Sequence, residues 1–228
     1  MKNELPTALV AADVCVFKIV KGMLCVYVTN VTNNEHYLGK KCLPGSLIRL
    51  DENAEDTVKR VLTDRTNIPC KDVYLEQLYS FSDVGRDKRS RSVAIAYLGL
   101  LDASDSYGDE MPEKGSFVPL HEVKNLAFDH KEIIKEGLER LRNKFHYSTI
   151  IKKLLRGEFT FAELQKVYEL ILGKPLDKRN FRKKFMSLDV IKETDTYKKE
   201  GRMRPAMMYQ WKSNKVEPYD VLGFVDTK

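Results

Sequence analysis

Apolar residues come in two different rhythms along this chain. Residues 10–20 (VAADVCVFKIV) and 23–31 (MLCVYVTNV) are nearly continuous runs rich in β-branched side chains, separated only by Lys21-Gly22, which predicts a hairpin. A loop over residues 33–41 leads to Leu43-Pro44-Gly45, where glycine permits a tight approach. The rhythm then changes: Ala54, Val58, Val61 and Leu62 fall at i, i+4, i+7 and i+8, one stripe of an amphipathic helix, with Asp51 to Asn53 able to cap it. Residues 73–84 (VYLEQLYSFSDV) and 92–102 (SVAIAYLGLLD) read as strands on either side of a charged turn, GRDKRSR, and SFVPL as a further short strand. Ala127-Phe128-Asp129-His130 opens the helix KEIIKEGLERLRNKF, with Ile133, Ile134, Leu138 and Leu141 on its apolar face. Strands, a helix, more strands and a closing helix predict an α+β fold, a mixed sheet between helices.

The last third has its own pattern. FHYSTIIKKLLRG reads as a connecting helix. Thr160 and Glu163 form a capping box, Phe161, Leu164, Tyr168 and Ile171 follow at helical spacing, and Gly173 ends that helix. After Lys174-Pro175-Leu176, Asp177 caps a second helix, KRNFRKKFMSLD, in which Phe181, Phe185 and Leu188 face inward while Arg179, Arg182, Lys183 and Met186 project opposite. The following VIKETDTYKKEGRMRPAMMYQWK predicts a hairpin whose tip, residues 198–204, is strongly basic. Helix, short turn, helix with a cationic outer face, then a basic hairpin is the layout of a winged helix-turn-helix, which suits insertion into a DNA major groove. Arginine grips guanine bidentately there, and lysine suits phosphate.

Charge sharpens this division. The net charge of +6 is the sum of net +7 over residues 146–228 (18 Lys+Arg against 11 Asp+Glu) and net −1 over residues 1–145 (21 against 22). We therefore expect two domains, 1–145 and 146–228, the second meeting double-stranded DNA through Lys178, Arg179, Arg182 and Lys183 on the helix and Lys199, Arg202 and Arg204 on the wing. Hydrophobic content of 43% and charged content of 32% fit a globular protein with no run of membrane-spanning length. The start, MKNELPTALVAAD, has no long apolar stretch behind a basic beginning, so a cytoplasmic protein without a leader is expected. Cys15, Cys25, Cys42 and Cys70 make no CxxC spacing, and His36, His121, His130 and His146 no helical pair, so no metal, redox motif or cofactor is expected.

Residues 45–67, GSLIRLDENAEDTVKRVLTDRTN, resemble the Nudix box, whose pattern is Gly, five residues, Glu, seven residues, Arg-Glu-apolar, any residue, Glu-Glu, any residue, Gly-apolar. Only Gly45 matches cleanly. Asp51 and Lys59 stand for Glu and Arg, Thr66 replaces the closing Gly, and Arg60, Thr63 and Asp64 fall where the resemblance places the metal-binding Glu carboxylates. Magnesium wants hard oxygen ligands, so this set implies a Nudix-like α/β/α sandwich whose hydrolase activity is lost. The charged turn before Ser92 to Tyr97 is similar to that of ADP-ribose-handling Nudix proteins.

With the winged helix added, nearly the whole chain resembles the Nudix-related transcriptional regulators of bacteria. The matching pieces are Leu43-Pro44-Gly45, the degenerate box, Ala127 to His130, the run FTFAELQKVYELILGKPLDKRNFRKK and Arg204-Pro205-Ala206-x-x-Tyr209. The resemblance implies a nucleoid-associated homodimer on palindromic operator DNA, more a repressor than an activator, with an inactive Nudix domain sensing an ADP-ribose-like nucleotide or a pentose sugar such as arabinose. Arg49, Arg86, Asp87 and Arg91 are the candidate effector contacts. The alternative is an active hydrolase of a nucleoside-diphosphate-linked substrate with an accessory DNA-binding domain.

Overall fold

The computed structural model describes residues 6–32, 34–104, 114–199 and 205–219. Of these, residues within 6–20, 24–101 and 114–137 form one compact unit, and residues 21–23, 102–104 and 138–219 form a second.

The first unit is built on β1 (Leu9–Val20) and β2 (Met23–Asn30). Lys21 and Gly22, both at positive φ (48° and 75°), make the two-residue turn that matches strand twist. The sheet continues through β3 (Lys41–Cys42), β4 (Gly45–Leu47), β5 (Tyr74–Phe81), β6 (Ser92–Leu100) and β7 (Ser116–Pro119), in the order β3-β2-β1-β6-β5 with β4 on β1 and β7 on β2. It is mixed, as expected: β1 runs parallel to β6, from Leu9 opposite Ser92 to Phe17 opposite Leu100, while β4, β5 and β7 pair antiparallel. Central β1 is buried without a break from Ala12 to Ile19, the mark of a strand covered on both faces.

Helix α1 (Ala54–Val61) covers one side. Asn53 caps it by accepting from the Asp56 N–H at 2.9 Å, Val58 and Leu62 are buried among Val14, Val16 and Ile68, and Val61 is buried as well. The helix then widens into a π-type turn over Leu62–Thr66, and Asn67 leaves it in the left-handed conformation (φ 57°). Thr66 lets this happen, since its hydroxyl donates to the Leu62 carbonyl at 2.5 Å and accepts from the Ile68 N–H at 3.1 Å. Helix α2 (His130–Tyr147) begins in this unit, where Gly137 brings it close to β1: a Cβ there would lie 3.2 Å from the Phe17 ring.

In the second unit, the expected connecting helix is shorter than the pattern suggested. Helix α2 stops at Tyr147, and after Thr149 only a 3-10 turn, Ile150–Lys153, follows. Thr149 bonds instead to a distant segment, donating its N–H to the Glu217 carbonyl at 2.9 Å and accepting the Glu217 N–H at 2.8 Å. A short strand, β8 (Glu158–Thr160), precedes α3 (Phe161–Leu172) and α4 (Lys178–Ser187), and β9 (Ile191–Lys198) and β10 (Ala206–Trp211) form the hairpin. The three strands pair in the order β8-β10-β9. The capping box on Thr160, the left-handed Gly173 and the Asp177 cap all form as expected. Phe161, Tyr168, Phe181, Phe185 and Tyr209 interlock edge to face, with Trp211 against Phe159 and Phe185, and its indole N–H donates to the Leu155 carbonyl at 2.7 Å. Among the described residues no helix is long and apolar enough to cross a membrane.

Candidate functional site

In the first unit a cleft of about 680 Å³ opens where β1, β3, β4 and the end of the box helix converge. Its floor is a set of buried charges. Asp13 projects from apolar β1, and Arg86, delivered by the charged turn, lies 3.5 Å from it while gripping Asp129 in bidentate fashion (2.8 and 2.9 Å). The same guanidinium donates to the Ser92 hydroxyl at 3.1 Å. His130 accepts the Leu43 N–H at Nδ1 (2.8 Å), so the neutral ring carries its proton on Nε2, which faces Asp13 at 3.6 Å. Gly45 is required here: a Cβ would lie 1.8 Å from the Asp13 carboxylate.

The walls carry further charge. Burial alone would raise the Asp87 carboxyl, but side-chain and backbone hydrogen bonds from Arg89 (2.7–3.1 Å) hold it below its ordinary range. Arg89 also lies over the Phe128 ring, 5.1 Å from its centroid, and Tyr37 accepts the Lys88 N–H at 2.8 Å behind it. Arg65 and Lys114 also line the cleft. The Lys114 ammonium donates to the Asp64 carbonyl (3.0 Å) and to the Asn67 side chain (2.6 Å), at the end of the box helix. Arg65 is close enough to act on the Cys42 thiol. Burial pushes that thiol up, a hydrogen bond with Thr29 (3.2 Å) pulls it down, Asp13 raises it and Arg65 lowers it, the balance being upward.

Of the four expected effector contacts, Arg86 and Asp87 line the cleft, and Arg49 and Arg91 are outside its lining. Arg49 sits 3.6 Å from Glu52, and Arg91 donates to the Ser92 carbonyl at 3.0 Å. The box residues need a correction. Of Arg60, Thr63 and Asp64, expected to share the face of a lost metal site, Asp64 alone lines the cleft. Arg60 is turned into a bidentate pair with Glu52 (2.5 and 2.7 Å), whose carboxyl its hydrogen bonds bring down to about 2, and the Thr63 hydroxyl bonds back to the Lys59 carbonyl. Asp13, Asp129, His130, Arg65, Arg89 and Lys114 were not among the site residues expected from sequence, although Asp129 and His130 lie in a piece that carries the resemblance. The available signal was Asp13, a lone carboxylate in an apolar strand, which must meet a partner when buried.

The second unit offers a different surface. Its turn is pinned by α3, where Gln165 donates to the Leu176 carbonyl (3.0 Å) and Glu169 accepts the Leu176 N–H (2.9 Å), so α4 leaves at a fixed angle. Lys178, Arg179 and Lys183 are exposed along α4, and Lys199 at the hairpin, whereas Arg202 and Arg204 lie outside the described residues. Arg182 shares the face but is occupied: its guanidinium lies over Phe161 (4.8 Å) and Tyr209 (5.6 Å) and donates to the Tyr209 hydroxyl at 2.6 Å. Lys198 of β9 pairs with Glu163 at 2.6 Å, tying the hairpin to the start of α3.

A Nudix-like α+β unit with a charged cleft and a winged helix with a cationic helix together define a two-domain protein of the Nudix-regulator class. The sequence model of the NrtR DNA-binding winged helix domain matches residues 151–211. The chain is 33% identical over 218 residues to the ADPR responsive transcriptional repressor NtrR of Acinetobacter baylyi, covering 92% of this chain and 84% of that protein. It therefore belongs to the NrtR family of Nudix-related transcriptional regulators. Shewanella oneidensis NrtR complexed with a 27mer DNA superposes with a TM-score of 0.77 at 32% identity, over 89% of this chain and 93% of that one. The NUDIX domain of the same protein complexed with ADP ribose gives 0.53 at 30% identity, over 60% and 90%.

Proposed function

We propose that this protein is an ADP-ribose-responsive transcriptional repressor: residues 146–228 hold operator DNA and residues 1–145 sense the nucleotide. The observation that carries the proposal is the 33% identity to an ADPR responsive repressor across both units. The geometry agrees, since Lys178, Arg179, Lys183 and Lys199 are exposed for groove and phosphate contacts; Arg202 and Arg204, outside the described residues, are assigned the same role from the sequence alone. A cleft of about 680 Å³ suits a nucleotide, and Arg86 and Asp87 are in its lining, whereas Arg49 and Arg91 are not. The protein acts as a homodimer on a two-fold operator, whose half-sites lie roughly 34 Å apart for one helical turn. ADP-ribose shifts operator affinity by as much as its affinity differs between the bound and released states.

Hydrolysis is not part of the function. Magnesium takes oxygen ligands, whereas Arg60 is a cation paired with Glu52 and the Thr63 hydroxyl is bonded to the Lys59 carbonyl, which leaves Asp64 of the three in the cleft lining. The test is operator binding by fluorescence anisotropy with added ADP-ribose, arabinose or neither. Release by ADP-ribose alone, with the nucleotide recovered intact, is expected. Release by arabinose instead, or recovery of AMP, would overturn it.

A further inference from the structure

The Nudix pattern fits this chain better when read one residue later. Glu52 and Arg60 have the Glu, seven residues, Arg spacing, and they are joined by the bidentate pair at 2.5 and 2.7 Å. At the other end Asn67 takes the left-handed conformation that the box reserves for glycine, and buried Ile68 supplies the apolar residue after it. In this register the loop after Gly45 is one residue longer, and the three metal-ligand positions are Val61, Asp64 and Arg65. Val61 is apolar and buried in the core, and Arg65 is a cation on the cleft wall. Such a set does not fit a divalent cation, which takes oxygen donors.

What the set does fit is the group a divalent cation would otherwise bind. Arg65 presents a guanidinium to the cleft, and the Lys114 ammonium, fixed by the Asp64 carbonyl and Asn67, keeps a proton to donate. The deeper charges, Arg86 with Asp13 and Asp129, and Asp87 with Arg89, are already matched. We propose that Arg65 and Lys114 hold the effector's pyrophosphate directly, in the place of a metal ion. The inference rests on the nucleotide-sensing reading above. Binding is then independent of divalent metal, and the phosphates meet charge without the metal-bound water that would cleave them.

The test is titration calorimetry of the full chain with ADP-ribose, in excess EDTA and in excess Mg²⁺, together with Arg65→Ala and Lys114→Ala. The expected result is the same dissociation constant in both buffers. Each substitution should weaken binding by about ten-fold, as for loss of one hydrogen bond to a charged group, while melting of the ligand-free Arg65→Ala protein is unchanged. Arg65→Lys, which keeps the charge, should retain most of the affinity. Binding that needs Mg²⁺, or binding in EDTA that neither substitution weakens, would overturn the proposal and leave the effector reading standing. Absence of ADP-ribose binding in both buffers would overturn the effector reading itself.

Discussion

The two units handle arginine in opposite ways. In the first, Arg86 is buried to a side-chain exposure of 3% and lies against two carboxylates, a hydroxyl and the wall of a cleft. In the second, Arg179 stands in solvent on α4, and the aromatic core beneath is complete without it. Arg182 is intermediate, exposed as a residue yet bonded to Tyr209 across two aromatic faces. A buried charge must be paired to exist at all, so it shapes its site. An exposed one leaves the fold alone and is available to a partner. Mutational effects should therefore separate stability from binding along the same line.

The largest effect is expected at Arg86→Ala, which leaves buried Asp13 and half-buried Asp129 without their cation. Loss of about 3–5 kcal/mol in urea-unfolding stability is expected; a loss near zero would show that the network is solvated rather than buried. Next comes Arg182→Ala, which removes a cation–π contact and a hydrogen bond and should destabilise by about 1–2 kcal/mol. Its operator affinity should fall with an unchanged salt dependence. By contrast, Lys183→Ala should leave the melting temperature alone and reduce the slope of log affinity against log salt by about 1. If Arg182→Ala lowers that slope as well, its guanidinium leaves Tyr209 to meet phosphate. The smallest effect is at Glu52, whose carboxyl is lowered from 4.5 to about 2 by the hydrogen bonds from Arg60. A depressed folded value stabilises above about pH 4.5 and is lost as pH falls from there toward 2. Urea midpoints of wild type and Glu52→Gln should converge across that window; parallel curves would mean the pair contributes nothing.

The second unit was the more legible of the two, and the reasons are local. A capping box, a left-handed glycine and an Asp cap are written within a few residues of what they control, as at Thr160, Gly173 and Asp177. Strand β8 escaped because it is three residues long and is defined only by pairing with β10, some fifty residues away. In the first unit the mixed sheet followed from its runs, but the cleft did not, because its floor joins Asp13, Arg86 and the adjacent Asp129 and His130 from three separated stretches. The one-residue shift inferred for the box rests on a longer loop after Gly45, which residue counting does not show. What supports it is the bond between Arg60 and Glu52, a contact between side chains eight residues apart.

Trp211 has a practical consequence. It is the single tryptophan of the chain and lies in the second unit, clasped by Phe159 and Phe185 with its indole N–H on the Leu155 carbonyl. Selectively excited indole fluorescence therefore reports on the winged helix, whereas far-ultraviolet circular dichroism weighs both units. Superimposable melts by the two signals would mean that effector and DNA domains unfold as one cooperative body, and separated melts that each has a stability of its own.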